Sequence, residues 1–142
     1  MKYIGALDVG TTTVRFHIVD EQATTVASSV EKVQLLYPNP GHVEIDPDEL
    51  WRIIVDVIKN TLKDSGIKAE SIVSLGISTQ RGSFTTWNLK DGRHYHKLFY
   101  NMEGRACRFN GERMELLDIH ERIEIRIANF VHAYQEEAIF GR

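Results

Sequence analysis

Cysteine is almost absent from this chain, with one residue, Cys107, among 142. A lone thiol cannot close an internal disulfide, which sets aside the small disulfide-stapled scaffolds and makes a reducing compartment, the cytoplasm, the expected location. Proline is nearly as scarce, at three residues, and no repeat, low-complexity tract or linker divides the sequence. No apolar run approaches the roughly 18 residues that suggest a membrane-spanning helix. Neither sign of charge dominates, since 17 basic residues stand against 20 acidic ones for a net charge of −3. Without a basic footprint, nucleic acid is not expected as a partner. The chain enters a strand-like run within its first ten residues, without a basic head or cleavage site, so no signal peptide is expected.

Present instead is ordinary globular material, 42% apolar and 26% charged, in a length sufficient for one core. Residues 3–8 form a short apolar run, and beyond Gly10 the residues Val14, Phe16 and Ile18 alternate with Arg15, His17 and Val19. Alternation rich in β-branched residues predicts a hairpin over residues 3–19, with a third strand from Thr25 to Val33. Two prolines and a glycine make Tyr37 to Gly41 an irregular loop. Asp46-Pro47-Asp48-Glu49 predicts a helix start, with Asp46 as N-cap, Pro47 in the first turn and Glu49 reaching back in a capping-box-like pair. Leu50, Ile54, Val57, Ile58 and Leu62 then form one apolar face, and Gly66 is placed to end the helix. "SIVSLGIS" (71–78) is a continuous apolar run that suggests a strand buried on both faces. "SFTTWN" and "RHYHKLFY" read as further strands, and from Gly111 an amphipathic helix is expected, with a break near Asp118.

The turn in "GALDVGTTTVRFHIVD" raises the chemical question, because Asp8 interrupts an apolar strand just before a glycine and three threonines. The dinucleotide-binding fingerprint and the Walker A loop both join a strand to a helix, and neither fits a strand–turn–strand pattern. In that pattern Gly10 lets backbone approach a ligand, successive N–H groups offer an anion-binding concavity, and Thr11, Thr12 and Thr13 add hydroxyls. Asp8 beside phosphates makes sense with a cation between them, magnesium being the natural one. A hairpin turn with β-branched flanks and no ligand is the competing reading of the same residues.

"ALDVGTTTVR" resembles the first phosphate-binding motif of the FGGY carbohydrate kinases. "LYPNPGHVEIDPDELW" is similar to that family's Tyr-Pro-x-x-Gly-x-Val-Glu-x-Asp-Pro segment, and "LGISTQRGSFTTWN" to its strand, Gln-Arg pair and second strand ending in Trp. Three motifs in family order over residues 3–100 make the resemblance specific, and within the family the glycerol kinase branch matches best. The resemblance implies an α/β ribonuclease H-like, actin-like ATPase fold, with residues 1–106 as part of the N-terminal lobe and 107–142 as a divergent helical tail. It implies that Asp8 helps hold Mg2+ through water, that Gly10, Thr11, Thr12, Thr13 and Arg15 line the ATP phosphates, and that Arg81 faces substrate hydroxyls. The implied reaction is ATP-dependent phosphorylation of a polyol or sugar, with the general base beyond this chain and the chain expected to be inactive alone. The alternatives are a non-catalytic nucleotide- or partner-binding fragment of the same family, and another actin-like ATPase sharing only the phosphate hairpin.

The sequence also departs from the glycerol kinase pattern. Gly82 stands where a glutamate binds substrate hydroxyls, Asn101 where a tryptophan packs on glycerol carbons, and Glu103 where related kinases carry Asp or Cys. Other candidates are weaker. Asp46 and Glu49 have the spacing of helix caps, His94-x-His96 lacks a third ligand at metal spacing, and His17 reads as a strand-face residue. Cys107 has no histidine partner at a recognisable spacing. An exposed lobe surface or the apolar stripe of the tail is the expected route to self-association.

Overall fold

The computed structural model describes residues 1–80, 83–88 and 91–99, with residue 99 described for its backbone alone. Strands β1 (Tyr3–Val9) and β2 (Thr13–Val19) form the expected hairpin, and β3 (Thr25–Lys32) extends it antiparallel to β2. Two short strands follow, β4 (Leu35–Leu36) and β5 (Glu44–Ile45), on either side of the Tyr37–Gly41 loop. Helix α1 (Pro47–Ser65) then crosses over to β6 (Ile72–Thr79), which lies parallel to β1. The resulting sheet has the order β3-β2-β1-β6, and β7 (Leu98–Phe99) joins β5 and β4 in a second, smaller sheet.

The period-2 pattern decides which side of the large sheet is covered. Leu7, Val9, Val14, Phe16 and Ile18 are buried together with Leu50, Ile53, Ile54, Val57, Ile58 and Leu62 of α1 in one core. Each fully buried aliphatic side chain there contributes about 1.5–3 kcal/mol relative to an exposed one, as an upper figure. The intervening residues face the other way, and Ile4, Val26 and Val30 remain 49, 44 and 60% exposed.

Helix α1 begins and ends as its sequence predicts. The Asp46 carboxylate accepts from the backbone N–H groups of Asp48 and Glu49, at 3.0 and 3.4 Å. Gly66 closes the helix with φ +67°, a left-handed conformation that costs glycine nothing, and its N–H donates to the Leu62 carbonyl. The reciprocal arm of the capping box differs from expectation. The Glu49 carboxylate turns instead to Arg52, whose guanidinium also reaches Asp56 at 2.8 Å, because a cation one turn along offers stronger hydrogen bonds than a single backbone N–H.

Two further expectations need correction. β6 is not buried on both faces among the described residues, since Ser74, Gly76 and Ser78 are exposed while Leu75 and Ile77 pack against the core. The run therefore alternates once its small residues are counted as the outward set. Among the described residues, the strands expected in "SFTTWN" and "RHYHKLFY" reduce to isolated bridge positions, Trp87 with His94 among them, and to β7. Side-chain bonds hold this segment instead: Thr85 Oγ1 donates to the His96 carbonyl, and Thr86 Oγ1 meets His96 Nε2, both at 2.8 Å. The tail helix expected from Gly111, its break near Asp118 and the boundary after residue 106 lie outside the described residues. No helix among the described residues is long and apolar enough to cross a membrane.

Candidate functional site

Gly10, Thr11 and Thr12 link β1 to β2. The Gly10 N–H donates to the Thr13 carbonyl at 2.9 Å, and the Val33 N–H donates to the Thr12 carbonyl at 2.9 Å, which ties the tip of the turn to the end of β3. Glycine is required at position 10 by space and not by a left-handed backbone. A Cβ there would lie 2.8 Å from the Thr13 carbonyl oxygen, a backbone atom that cannot move aside without opening the turn. Because its own N–H is taken up in closing the turn, Gly10 gives an incoming anion close approach and no donor. The N–H groups of Thr11 and Thr12 make no bond among the described residues, so two successive donors and the threonine hydroxyls remain available.

Asp8 and Arg15 are directly opposed across the hairpin, on the face away from α1, and both are exposed. No ion pair joins them among the described residues. On its other side Asp8 is level with Ser78 of β6. A carboxylate, a guanidinium, two free N–H groups and three hydroxyls are thus gathered at one end of the sheet by a contiguous stretch of eight residues, Asp8 to Arg15. Hard oxygen donors of this kind suit a divalent cation held partly through water and phosphate oxygens. Arg81 and Gly82 lie outside the described residues, as do Asn101, Glu103 and Cys107. The residue before Arg81 is described: the Gln80 N–H donates to the Val9 carbonyl at 2.9 Å, so the loop after β6 starts beside the turn.

Sequence reasoning missed two residues in that loop. Both amide atoms of Gln80 and the hydroxyl of Ser83 are buried without a hydrogen-bond partner. Each unmade bond of this kind costs about 1–3 kcal/mol, so the cluster stands out. Nothing in the sequence signals it, because glutamine and serine are ordinary loop residues. His17, on the same face as Arg15, also buries an unpartnered Nδ1.

A second group gathers at the start of α1, where ligand atoms of Asp46, Asp48 and His94 lie within 4.8 Å of one another. Its contacts are already made. Lys97 Nζ sits 3.2 Å from Asp46, and His94 Nδ1 is 3.7 Å from Asp48. Partial burial pushes the Asp46 carboxyl up, but hydrogen bonds from Lys97 and from the N–H groups of Asp48 and Glu49 hold it below its ordinary value. The resident ammonium opposes a metal ion, so this group is a helix cap with Lys97 as its cationic partner. Nor do His94 and His96 converge on one ion. His96 Nδ1 donates to the Lys97 carbonyl at 2.8 Å, which leaves Nε2 to accept from Thr86.

A sequence profile for the N-terminal domain of the FGGY family of carbohydrate kinases matches residues 3–127. Glycerol kinase 5 of Mus musculus is 48% identical over 106 residues, covering 75% of this chain and 20% of that protein. Glycerol kinase 5 of Homo sapiens is 49% identical over 104 residues, covering 73 and 20%. A glycerol kinase of Haloarcula marismortui is 34% identical over 122 residues, covering 86 and 23%. Among solved structures, ligand-bound xylulose kinase from Lactobacillus acidophilus superposes with a TM-score of 0.63 at 24% identity, covering 70% of this chain and 19% of that one. Plasmodium falciparum glycerol kinase with ADP superposes with a TM-score of 0.62 at 21% identity, covering 70 and 20%. These superpositions show the fold, the actin-like ATPase fold expected from the sequence. The chain spans about a fifth of the length of the curated relatives it matches.

Proposed function

The chain belongs to the FGGY family of carbohydrate kinases, and from that premise we propose that its Gly10–Thr13 turn seats the phosphates of ATP for transfer of the γ-phosphoryl group to a polyol or sugar hydroxyl. The observation that carries this reading is the pair of successive backbone N–H groups at Thr11 and Thr12 that make no bond among the described residues, donors that phosphate oxygens would accept. In this reading the N–H groups and hydroxyls of Thr11 and Thr12 take the phosphate oxygens, and Arg15 adds a positive charge at their flank. Asp8 would hold a magnesium ion through water, and that ion would neutralise charge spread over the phosphates. The acceptor oxygen attacks the γ-phosphorus as the bond to the β–γ bridging oxygen breaks, ADP leaves, and the hydroxyl proton passes to a base outside the described residues. Such transfer depends chiefly on positioning and charge stabilisation, which is what a rigid turn supplies. The acceptor is a small polyol or sugar that meets Arg81, glycerol being the first to test. The cytoplasm is where we place the activity.

Calorimetric titration of the 142-residue chain with Mg-ATP tests the seat. Binding that Gly10→Val abolishes is the expected result, and an affinity untouched by that substitution overturns it. Following ATP consumption with glycerol, ribitol and D-xylulose then separates the two forms of the reading. Turnover marks a working kinase, and binding without turnover marks a nucleotide-binding fragment.

A further inference from the structure

Strand β3 ends the large sheet, and among the described residues no strand pairs with its outer edge. An open edge is a row of unmade backbone hydrogen bonds and a template for another strand. The bond from the Val33 N–H to the Thr12 carbonyl fixes which groups are open. In an antiparallel pair the backbone groups of successive residues point alternately to one side and the other. With Val33 turned towards β2, Glu31 and Ser29 turn the same way, and Ser28, Val30 and Lys32 direct their N–H and carbonyl groups outward. Two common guards of an edge sit at the ends of this one: a bulge at Val26, which no residue of β2 opposes, and the charge of Lys32. The stretch between them, Ala27 to Glu31, holds no proline and a single charge, that of Glu31.

The sequence of β3 is complementary to itself in one antiparallel register. A two-fold axis at Ser28 sets Ser28 against Ser28, where the outward N–H and carbonyl groups exchange two hydrogen bonds. It also sets Val30 of each copy against Val26 of the other. These valines are 60 and 44% exposed on the face away from α1, and such β-branched pairs stabilise a strand pair directly. Lys32 then stands opposite Thr24, whose N–H is held by the Asp20 carboxylate at 2.8 Å, with Glu21 in the same turn. Each copy thus brings a basic strand end to the acidic turn of the other. A register one residue away sets Val26 against Glu31 and loses the match. We propose that two copies of this chain pair through β3 about Ser28, joining their four-stranded sheets into one. The pairing is independent of the nucleotide reading.

Sedimentation equilibrium of the 142-residue chain tests this, and a monomer–dimer equilibrium that shifts with concentration is expected. Val30→Lys places a charge in the middle of the edge, and Ser28→Pro removes an outward N–H where an edge strand tolerates proline. Each is expected to weaken association about tenfold or more, with the circular dichroism spectrum unchanged. Should Ser28→Pro fail to fold, Val30→Lys decides alone. Crosslinking in a Cys107→Ser background reads the register. Ser28→Cys brings its two copies to about 5.5 Å between Cα atoms, within disulfide reach. Lys32→Cys leaves its two copies about 27 Å apart, at about 3.4 Å per residue. Oxidation should therefore link the first variant and not the second. A chain that stays monomeric at the highest concentration reached overturns the proposal. So does a dimer that Val30→Lys leaves intact, or one that Lys32→Cys links and Ser28→Cys does not; association then belongs to another surface, residues 100–142 included.

Discussion

On β1 the side chains of Leu7 and Val9 lie in the core, and Asp8 between them is exposed; on β2 Val14 and Phe16 are buried while Arg15 between them is exposed. The two faces of one sheet therefore differ in kind. The face under α1 is closed by aliphatic side chains from two elements and supplies cohesion. The opposite face carries Asp8 and Arg15 across two strands, where both charged groups remain accessible. The difference teaches that a strand can serve stability and chemistry at once because alternate residues never share surroundings. Substitutions one residue apart should then have unrelated consequences.

Phe16→Ala sharpens that contrast most. The ring is 2% exposed, and its loss should cost about 3–5 kcal/mol, read as a lower midpoint in urea unfolding followed by circular dichroism. A smaller effect is expected at the helix that closes the covered face. Asp46→Ala removes an N-cap worth about 0.5–2 kcal/mol. Because the folded-state carboxyl lies below its ordinary value of 3.8, this contribution is whole above that pH and fades as pH falls through the lower folded value. The difference in Tm between the parent chain and Asp46→Ala should accordingly narrow in acid; a gap that widens there would sink the account. The smallest stability effect is expected on the open face. Asp8→Ala should change the unfolding free energy by about 0.5 kcal/mol or less and yet remove magnesium-dependent nucleotide binding. Were it to unfold the chain as Phe16→Ala does, the division between faces would fail.

The covered face was legible in the sequence because its signals are local. The hairpin followed from alternation, and α1 followed from an N-cap, a first-turn proline and a closing glycine, all within twenty-one residues, Asp46 to Gly66. The misread parts depend on partners far along the chain. β7 exists because Leu98 and Phe99 pair with Ile45 and Glu44, and no local pattern in "RHYHKLFY" encodes that pairing. The same holds for Asp46, whose ion pair is with Lys97. The candidate site divides likewise. Asp8 to Arg15 could be read because eight consecutive residues bring the groups together, while Gln80 and Ser83 could not. Whether a polar atom is buried and unpartnered is a property of its surroundings and leaves no trace in residue type.

The bond from Val33 to the tip of the hairpin has a thermodynamic consequence. Together with the Gly10–Thr13 closure it fixes the loop before any guest arrives, so association should entail little loss of chain freedom there. A berth already in shape also means that discrimination among nucleotides falls to contacts elsewhere, since a rigid cradle for triphosphate treats every base alike.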